Sequence, residues 1–225
     1  MTTSNLIKLL SASYLDEAMA SNHKSDLLLV GSHSSPFLKA VSKAAATVGI
    51  EAYTLSYVPS TLNNCKVVID RETCGDVYEL PAEADVDCLY NPGMSCVSYA
   101  VYRFLDNFAE LSNPAGLEGK TITVVGRGHA VKGLAEKLVE NNATVTVAHS
   151  HTKNLAETMY NQDIVVLATP IVMDLPRPKE LVIDIGGALN PALVKGLPVG
   201  CKYEGRIGKL TNAVLLSRVA GTLRY

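Results

Sequence analysis

The sequence predicts an α/β protein, and three observations carry the prediction. Short apolar runs rich in β-branched residues, such as Thr121-Ile122-Thr123-Val124-Val125 and Asp163-Ile164-Val165-Val166-Leu167-Ala168, alternate along the chain with stretches of helical periodicity. Near-continuous apolar strands are what a parallel sheet requires when helices cover both of its faces, because each strand is then buried on both sides. The first of these runs leads straight into Gly126-Arg127-Gly128, and a helical pattern and a second apolar run, Thr144-Val145-Thr146-Val147-Ala148, complete a β-turn-α-β unit. At 225 residues and 48% hydrophobic content, the chain can build one large domain or two small ones around a substantial core.

The remaining elements follow in order. Leu6, Leu9, Leu10, Tyr14, Leu15 and Ala18 recur at three and four, which predicts a helix over 6–19. Residues 26–30 read as a buried strand, and 31–36 as a turn with a serine N-cap and Pro36 in the first helical turn. A helix over 37–48 ends at Gly49, and 51–57 alternates as a strand does. Residues 59–64 are turn-like, 66–69 form a short strand, and 73–85 have no period and are read as loops. Val97, Val101, Phe104, Leu105 and Phe108 stripe a helix over 95–111, which Asn113-Pro114-Ala115-Gly116 breaks. Beyond the β-turn-α-β unit, a short helix over 155–160 and strands over 163–168 and 181–186 complete a mostly parallel nucleotide-type sheet. A last helix over 211–221, with Val214, Leu215 and Val219, is expected to pack back on the first half.

Composition excludes several classes. The net charge is -2, and the basic residues are scattered, which gives no footprint for nucleic acid and favours a small ligand. No run approaches the roughly 18 apolar residues needed to span a bilayer, and no charged start with a long apolar core follows Met1. A soluble, cytoplasmic protein is expected. The five cysteines lack CxxC or zinc-ligand spacing and read as reduced, structural thiols, with no metal site.

The glycine turn is the first candidate site. Gly126-x-Gly128 lacks the full G-x-G-x-x-G spacing, since Gly133 falls two residues late, and a plain strand-to-helix turn is the competing reading. A turn of this kind at a helix N-terminus offers backbone N–H groups and a dipole that favour a phosphate. The end of the second strand refines the cofactor. An NAD site usually places a carboxylate there for the ribose hydroxyls, whereas this chain presents His149-Ser150-His151-Thr152-Lys153, with Arg127 at the first turn. Hydroxyl and cationic donors suit a 2′-phosphate, so NADP fits better than NAD. The competing reading for both histidines is a solvated loop.

Val124-Val125-Gly126-Arg127 and the run from Asn142-Ala143-Thr144 through His149-Ser150-His151-Thr152-Lys153-Asn154-Leu155 resemble the nucleotide domain of the methylenetetrahydrofolate dehydrogenase/cyclohydrolase (FolD) family. Three further matches fall in family order. Pro81-Ala82-Glu83-Ala84-Asp85-Val86-Asp87 resembles the family's Pro-Glu-Lys-Asp-Val-Asp-Gly, Val182-Ile183-Asp184-Ile185-Gly186 its Val-Ile-Asp-Val-Gly, and Gly205-Arg206-Ile207-Gly208-Lys209-Leu210-Thr211 its Gly-Gly-Val-Gly-Pro-Met-Thr. Lys43-Ala44 and Val48-Gly49-Ile50 fit its Lys-Ala-x-x-x-Val-Gly-Ile. The resemblance implies an N-terminal α/β catalytic lobe, residues 1–95 plus 209–225, and a Rossmann-type NADP-binding lobe, residues 96–208, with the C-terminal helix returning to the first lobe. Methylenetetrahydrofolate would lie in the cleft between them and pass hydride to the nicotinamide. By similarity Asp87 would bond the pterin; Ser34, Phe37, Gly205, Gly208 and Thr211 would line the substrate side. Gly126, Arg127, Gly128, His149, Ser150, Thr169, Pro170 and Ile185 would hold the cofactor, with Arg127 and Ser150 on the 2′-phosphate. The competing readings are a helix cap or turn for Asp87 and plain turns for the glycines.

Departures from the family pattern matter as much. The family's Tyr-x-x-x-Lys falls on Phe37 and Val41, so neither reactive group is present, although Ser34 matches the serine three residues before the tyrosine. Phe37 can stack on a pterin but polarises nothing, and Val41 has no ammonium to assist water addition. Lys39 lies two residues away, about 200° around a helix, and substitutes only if the helix start is distorted. The family's Val-Gln-Leu-Pro-Leu-Pro has no clean counterpart, Val67-Val68-Ile69-Asp70 being the nearest strand, and Tyr99 and Tyr102 read as core residues that could alternatively enter the cleft. The expected activity is NADP-dependent oxidation of methylenetetrahydrofolate to methenyltetrahydrofolate with weak or absent cyclohydrolase activity, by a homodimer formed through the nucleotide lobe. The alternatives are a catalytically silent folate- or nucleotide-binding protein, and a two-lobed dehydrogenase of the shikimate type acting on a small acid.

Overall fold

The computed structural model describes residues 1–74, 79–111, 113–170 and 175–223. In chain order it contains α1 (Thr3–Ala20), β1 (Leu27–Val30), α2 (Pro36–Thr47), β2 (Ala52–Leu55), β3 (Lys66–Ile69), α3 (Cys96–Glu110), β4 (Thr121–Val125), a 3-10 turn (His129–Val131), α4 (Leu134–Glu140), β5 (Thr144–Ala148), α5 (Leu155–Met159), β6 (Ile164–Leu167), β7 (Leu181–Asp184), α6 (Pro191–Lys195), β8 (Lys202–Glu204) and α7 (Gly208–Val219). The chain divides into two compact units, residues 1–8 with 97–208 and residues 9–96 with 209–225. Among the described residues no helix is long and apolar enough to cross a membrane.

The larger unit is built on a five-stranded parallel sheet of order β5-β4-β6-β7-β8. From β4 the chain moves to one side for β5 and returns to the other for β6. The C-terminal ends of β4 and β6 therefore flank the point where winding reverses, and open parallel sheets bind ligands there. Val125, Val165, Leu167 and Val182 of the sheet pack with Leu155 and Met159 of α5 into one core. Both faces of β6 and β7 are buried, as the apolar runs predict. β5 departs from that expectation: Thr144, Thr146 and Val147 are exposed, because β5 is an edge strand with less cover.

The smaller unit has a three-stranded parallel sheet, β2-β1-β3, which reverses in the same way at β1. Its core joins Leu28 and Val30 to Val67, Leu80 and Ala84. The start of α2 follows its sequence signals: the Ser35 hydroxyl accepts from Leu38 N–H at 3.2 Å and Pro36 opens the helix. Helix α7 returns to this unit. Its Ser217 hydroxyl donates to Tyr14 O at 2.9 Å, and the buried Arg218 guanidinium donates to Val86 O at 3.1 Å and Met94 O at 2.9 Å.

Three features differ from the sequence expectation. β8 and α6, three and five residues long, were not anticipated, being too short for any period to register. α7 starts at Gly208, three residues before the predicted start at 211. The helix expected behind the glycine turn is split into the 3-10 turn and a seven-residue α4, since Gly133 takes a left-handed conformation at φ +77 between them. Within the loop expected over 73–85, residues 75–78 lie outside the described residues.

Arg218→Met keeps most of the side-chain volume but strips hydrogen-bond donors from Val86 O and Met94 O. It is expected to lower unfolding stability by about 2–4 kcal/mol, read as a reduced urea midpoint. A midpoint equal to that of the parent chain would show that the guanidinium does not fasten α7.

Candidate functional site

The C-terminal ends of β4, β6 and β7 are drawn together by two backbone approaches. Gly126 has φ +129, and a Cβ there would lie 2.9 Å from Ala168 O; a Cβ on Gly186 would lie 2.2 Å from Thr169 O. Ala168 and Thr169 thus pass across the sheet end against bare backbone on both sides. A cavity of about 270 Å³ opens beside them, lined by Gly126, Arg127, His149, Ser150, Thr169 and Pro170 together with apolar side chains. Its volume is below the roughly 300–1,000 Å³ of a site that encloses a drug-sized ligand, so it can take only part of a larger one.

The loop after β5 shapes one wall. His149 N–H donates to the Thr152 hydroxyl at 2.9 Å, Thr152 N–H donates to His149 O at 2.8 Å, and His151 N–H donates to His149 Nδ1 at 3.2 Å. With Nδ1 accepting, the neutral His149 ring carries its proton on Nε2 and can donate from there. Arg127 and Ser150 are exposed. Six of the eight residues expected to hold the cofactor therefore line one hollow. Gly128 and Ile185 are not in its lining: Gly128 precedes the 3-10 turn with open space around its Cβ position, and Ile185 N–H continues the ladder to Leu167 O at 2.8 Å. The helix dipole expected at this turn is also displaced. A 3-10 turn follows Gly128, and α4 begins only at Leu134, so the backbone N–H groups near Gly126 lie outside an α-helical first turn.

In the smaller unit, Phe37 is 39% exposed on the first turn of α2, whereas Val41 is fully buried and forms the helix's inner face with Leu38 and Ala45. Lys39 is exposed. The exposed Ser34 hydroxyl lies 2.7 Å from that of Ser32. Asp87 accepts from the N–H of Cys96, the first residue of α3, at 2.6 Å, which makes it a cap of that helix. Thr211 is buried on α7, and Gly205 and Gly208 are exposed. Tyr102 is a buried residue of the larger unit, with Lys137 Nζ 5.6 Å from its ring centroid. Burial pushes the Cys96 thiol well above its ordinary pKa, and among the described residues no two cysteines form a disulfide.

Residues 95–196 match the family model of the tetrahydrofolate dehydrogenase/cyclohydrolase NAD(P)-binding domain. In an alignment of 242 positions the chain is 27% identical to the bifunctional protein FolD of Clostridium beijerinckii, covering 88% of this chain and 86% of that protein. The chain is similar to this family over most of its length. Solved structures share the fold: the bifunctional FolD methylenetetrahydrofolate dehydrogenase/cyclohydrolase of Campylobacter jejuni at TM-score 0.74, with 20% identity and 96% of both chains covered, and the FolD of Trypanosoma brucei complexed with NADP and an inhibitor at TM-score 0.68, with 20% identity over 97% of this chain and 95% of that one.

The hollow fits the phosphate-bearing end of an NAD(P) cofactor. Its lining offers the Arg127 guanidinium, the His149 ring and the Ser150 hydroxyl, and among the described residues it contains no carboxylate. Three buried carboxylates escaped sequence reading. Asp184 accepts from Ala188 and Leu189 N–H at 2.9 and 2.8 Å and fixes the loop after β7. Asp85 does the same for residues 89–91 with three backbone bonds of 2.8–3.0 Å. Asp70, directly after β3, accepts from the Thr73 hydroxyl at 2.8 Å and Glu72 N–H at 3.1 Å and fixes the turn that follows. Each stands at a strand end or within a turn-rich stretch, where short polar residues commonly bond nearby backbone, and that is the one signal that could have found them.

Gly186→Ala is expected to lower stability by about 1–3 kcal/mol, since a backbone segment must move to admit the methyl group. Gly128→Ala, at φ -78 with nothing within 4 Å, is expected to stay within about 0.5 kcal/mol of the parent. Denaturant titrations without ligand separate the two, and equal losses would remove the packing role assigned to Gly186.

Proposed function

We propose that the chain is an NADP-dependent methylenetetrahydrofolate dehydrogenase with weak or absent cyclohydrolase activity. The observation that carries this reading is the hollow at the β4/β6 switch point, where Arg127, His149 and Ser150 stand and, among the described residues, no carboxylate lines the wall. Arg127 and Ser150 hold the 2′-phosphate, His149 donates from Nε2, and Gly126, Gly128, Thr169, Pro170 and Ile185 shape the rest of the cofactor path. When bound, NADP supplies the hydride acceptor. The folate-binding lobe comprises residues 1–95 with 209–225, and the NADP-binding lobe residues 96–208. Asp87 bonds the pterin, Phe37 stacks on it, and Ser34, Gly205, Gly208 and Thr211 line the substrate. A homodimer through the nucleotide lobe and a cytoplasmic location belong to the same reading, and the exposed β5 edge supports the former.

Hydride transfer needs mainly alignment of two bound molecules, whereas hydrolysis of the methenyl cation needs proton transfer with water. The second requirement bears on position 41. Val41 is fully buried, so the place of the family's lysine holds an apolar side chain turned into the core of α2's packing. Lys39 is exposed on another face of a regular helix and does not replace it. The same loss of reactive groups at Phe37 and Val41 favours the second reading, a silent folate- or nucleotide-binding protein.

Mixing the protein with methylenetetrahydrofolate and NADP is expected to produce NADPH, followed by its absorbance, while methenyltetrahydrofolate decays no faster than without protein. Absence of NADPH formation together with tight tetrahydrofolate binding would establish the silent reading instead. Arg127→Ala is expected to raise KM for NADP about 10- to 100-fold and leave that for NAD nearly unchanged, the loss of a charge-assisted phosphate contact. An equal rise for both cofactors would place Arg127 elsewhere than on the 2′-phosphate.

A further inference from the structure

The residues between β5 and α5, His149 to Asn154, are all polar, so none of their side chains anchors the segment in an apolar core. Its two ends are fixed. At one end Gly126 N–H donates to Ala148 O at 2.7 Å, and Ala148 is fully buried; at the other, Leu155 is buried in the core of the sheet. A polar chain held only at its ends has many conformations, and ordering it when a ligand arrives costs affinity.

Hydrogen bonds order it instead. Thr152 pairs with His149 in both directions: its hydroxyl oxygen accepts from His149 N–H at 2.9 Å, and its own N–H donates to His149 O at 2.8 Å. His151, inside the turn that this pair closes, donates its N–H to His149 Nδ1 at 3.2 Å, and the two imidazoles meet edge to face with centroids 6.0 Å apart. The His149 ring is thereby held at one nitrogen and along one side. Ser150 lies within the same closed turn. The cavity beside Arg127 is lined by His149 and Ser150 but not by Thr152. Thr152 is half-buried, and its β-branched side chain has a restricted χ1, which keeps the hydroxyl on the His149 amide.

We propose that Thr152 is a positioning residue whose hydroxyl sets the preference for a 2′-phosphorylated nucleotide over the unphosphorylated one. The inference rests on the NADP reading above and adds a residue to that site. Thr152 acts through its neighbours: the turn it closes fixes where the His149 and Ser150 donors stand. Aimed donors need support from residues behind them, and the same donors about 1 Å too loose bind poorly. Arg127 comes from a different segment, after β4, and supplies charge. Removing the Thr152 hydroxyl therefore leaves the charge attraction and loses the aim. A ligand without the 2′-phosphate places no requirement on those donors, so its affinity changes little.

Adenosine 2′,5′-bisphosphate and adenosine 5′-monophosphate differ by that phosphate alone, and each is titrated calorimetrically into the full chain. The parent chain is expected to bind the bisphosphate more tightly. Thr152→Val, which keeps the shape and removes the hydroxyl, is expected to weaken the bisphosphate about five- to tenfold and the monophosphate less than about twofold. Thr152→Ser restores the hydroxyl and is expected to stay within about twofold of the parent for both ligands. In a His149→Ala/Ser150→Ala background, Thr152→Val is expected to cause no further loss, because the groups it positions are gone. Urea midpoints accompany each variant, and Thr152→Ala takes the place of Thr152→Val if the valine chain does not fold. Equal losses for both nucleotides in Thr152→Val, or a loss that persists in the double-alanine background, would overturn the proposal alone. A parent chain that binds the two nucleotides equally would overturn the NADP reading and the proposal with it.

Discussion

The nucleotide-binding unit depends on how closely three strand ends can approach. Ala168 lies against Gly126 and Thr169 against Gly186, at separations where any Cβ would collide with backbone oxygen. Backbone cannot rotate out of the way as a long side chain can, so the constraint falls on residue type. Once it is met, the ladder continues past the strands: Ala168 N–H reaches Val125 O and Ile185 N–H reaches Leu167 O, both at 2.8 Å. The hollow beside Arg127 and Ser150 is what remains when the strand ends are held this way.

Much of this was legible in the sequence because the larger sheet is buried. Strands β4, β6 and β7 must be apolar on both faces, and β-branched runs announce them. The same logic misjudges β5, whose apolar run Val145-Thr146-Val147 lies at an edge with Val147 exposed; strand position within a sheet is a tertiary fact that a local run does not encode. β8 and α6 are too short to show a period. The break at Gly133 was visible only as a glycine two residues out of register, and its consequence, two short helical pieces instead of one helix, depends on the left-handed φ that the glycine adopts.

The candidate site divides in the same manner. Residues adjacent in sequence to strand ends, such as Arg127 beside Gly126 or His149 and Ser150 after Ala148, could be placed from local pattern, and they line one hollow. Asp70, Asp85 and Asp184 could not. A carboxylate in a turn looks solvated until the fold brings backbone N–H groups and hydroxyls around it, and those partners lie several residues away, as Thr73 does for Asp70 and Leu89 to Asn91 do for Asp85. Val41 shows the converse: its identity announced the missing ammonium, but only its complete burial shows that the position faces the packing of α2.

Under the proposed reading, the smaller unit has exchanged one kind of chemistry for another. A lysine serves steps in which protons move, and its ammonium opposes a cation forming nearby. Replacing it by a buried valine removes proton transfer and that opposition together. Under this reading the chain is matched to the oxidation, which needs alignment and no proton transfer, and hydrolysis of the cationic product is left to solvent or to another catalyst.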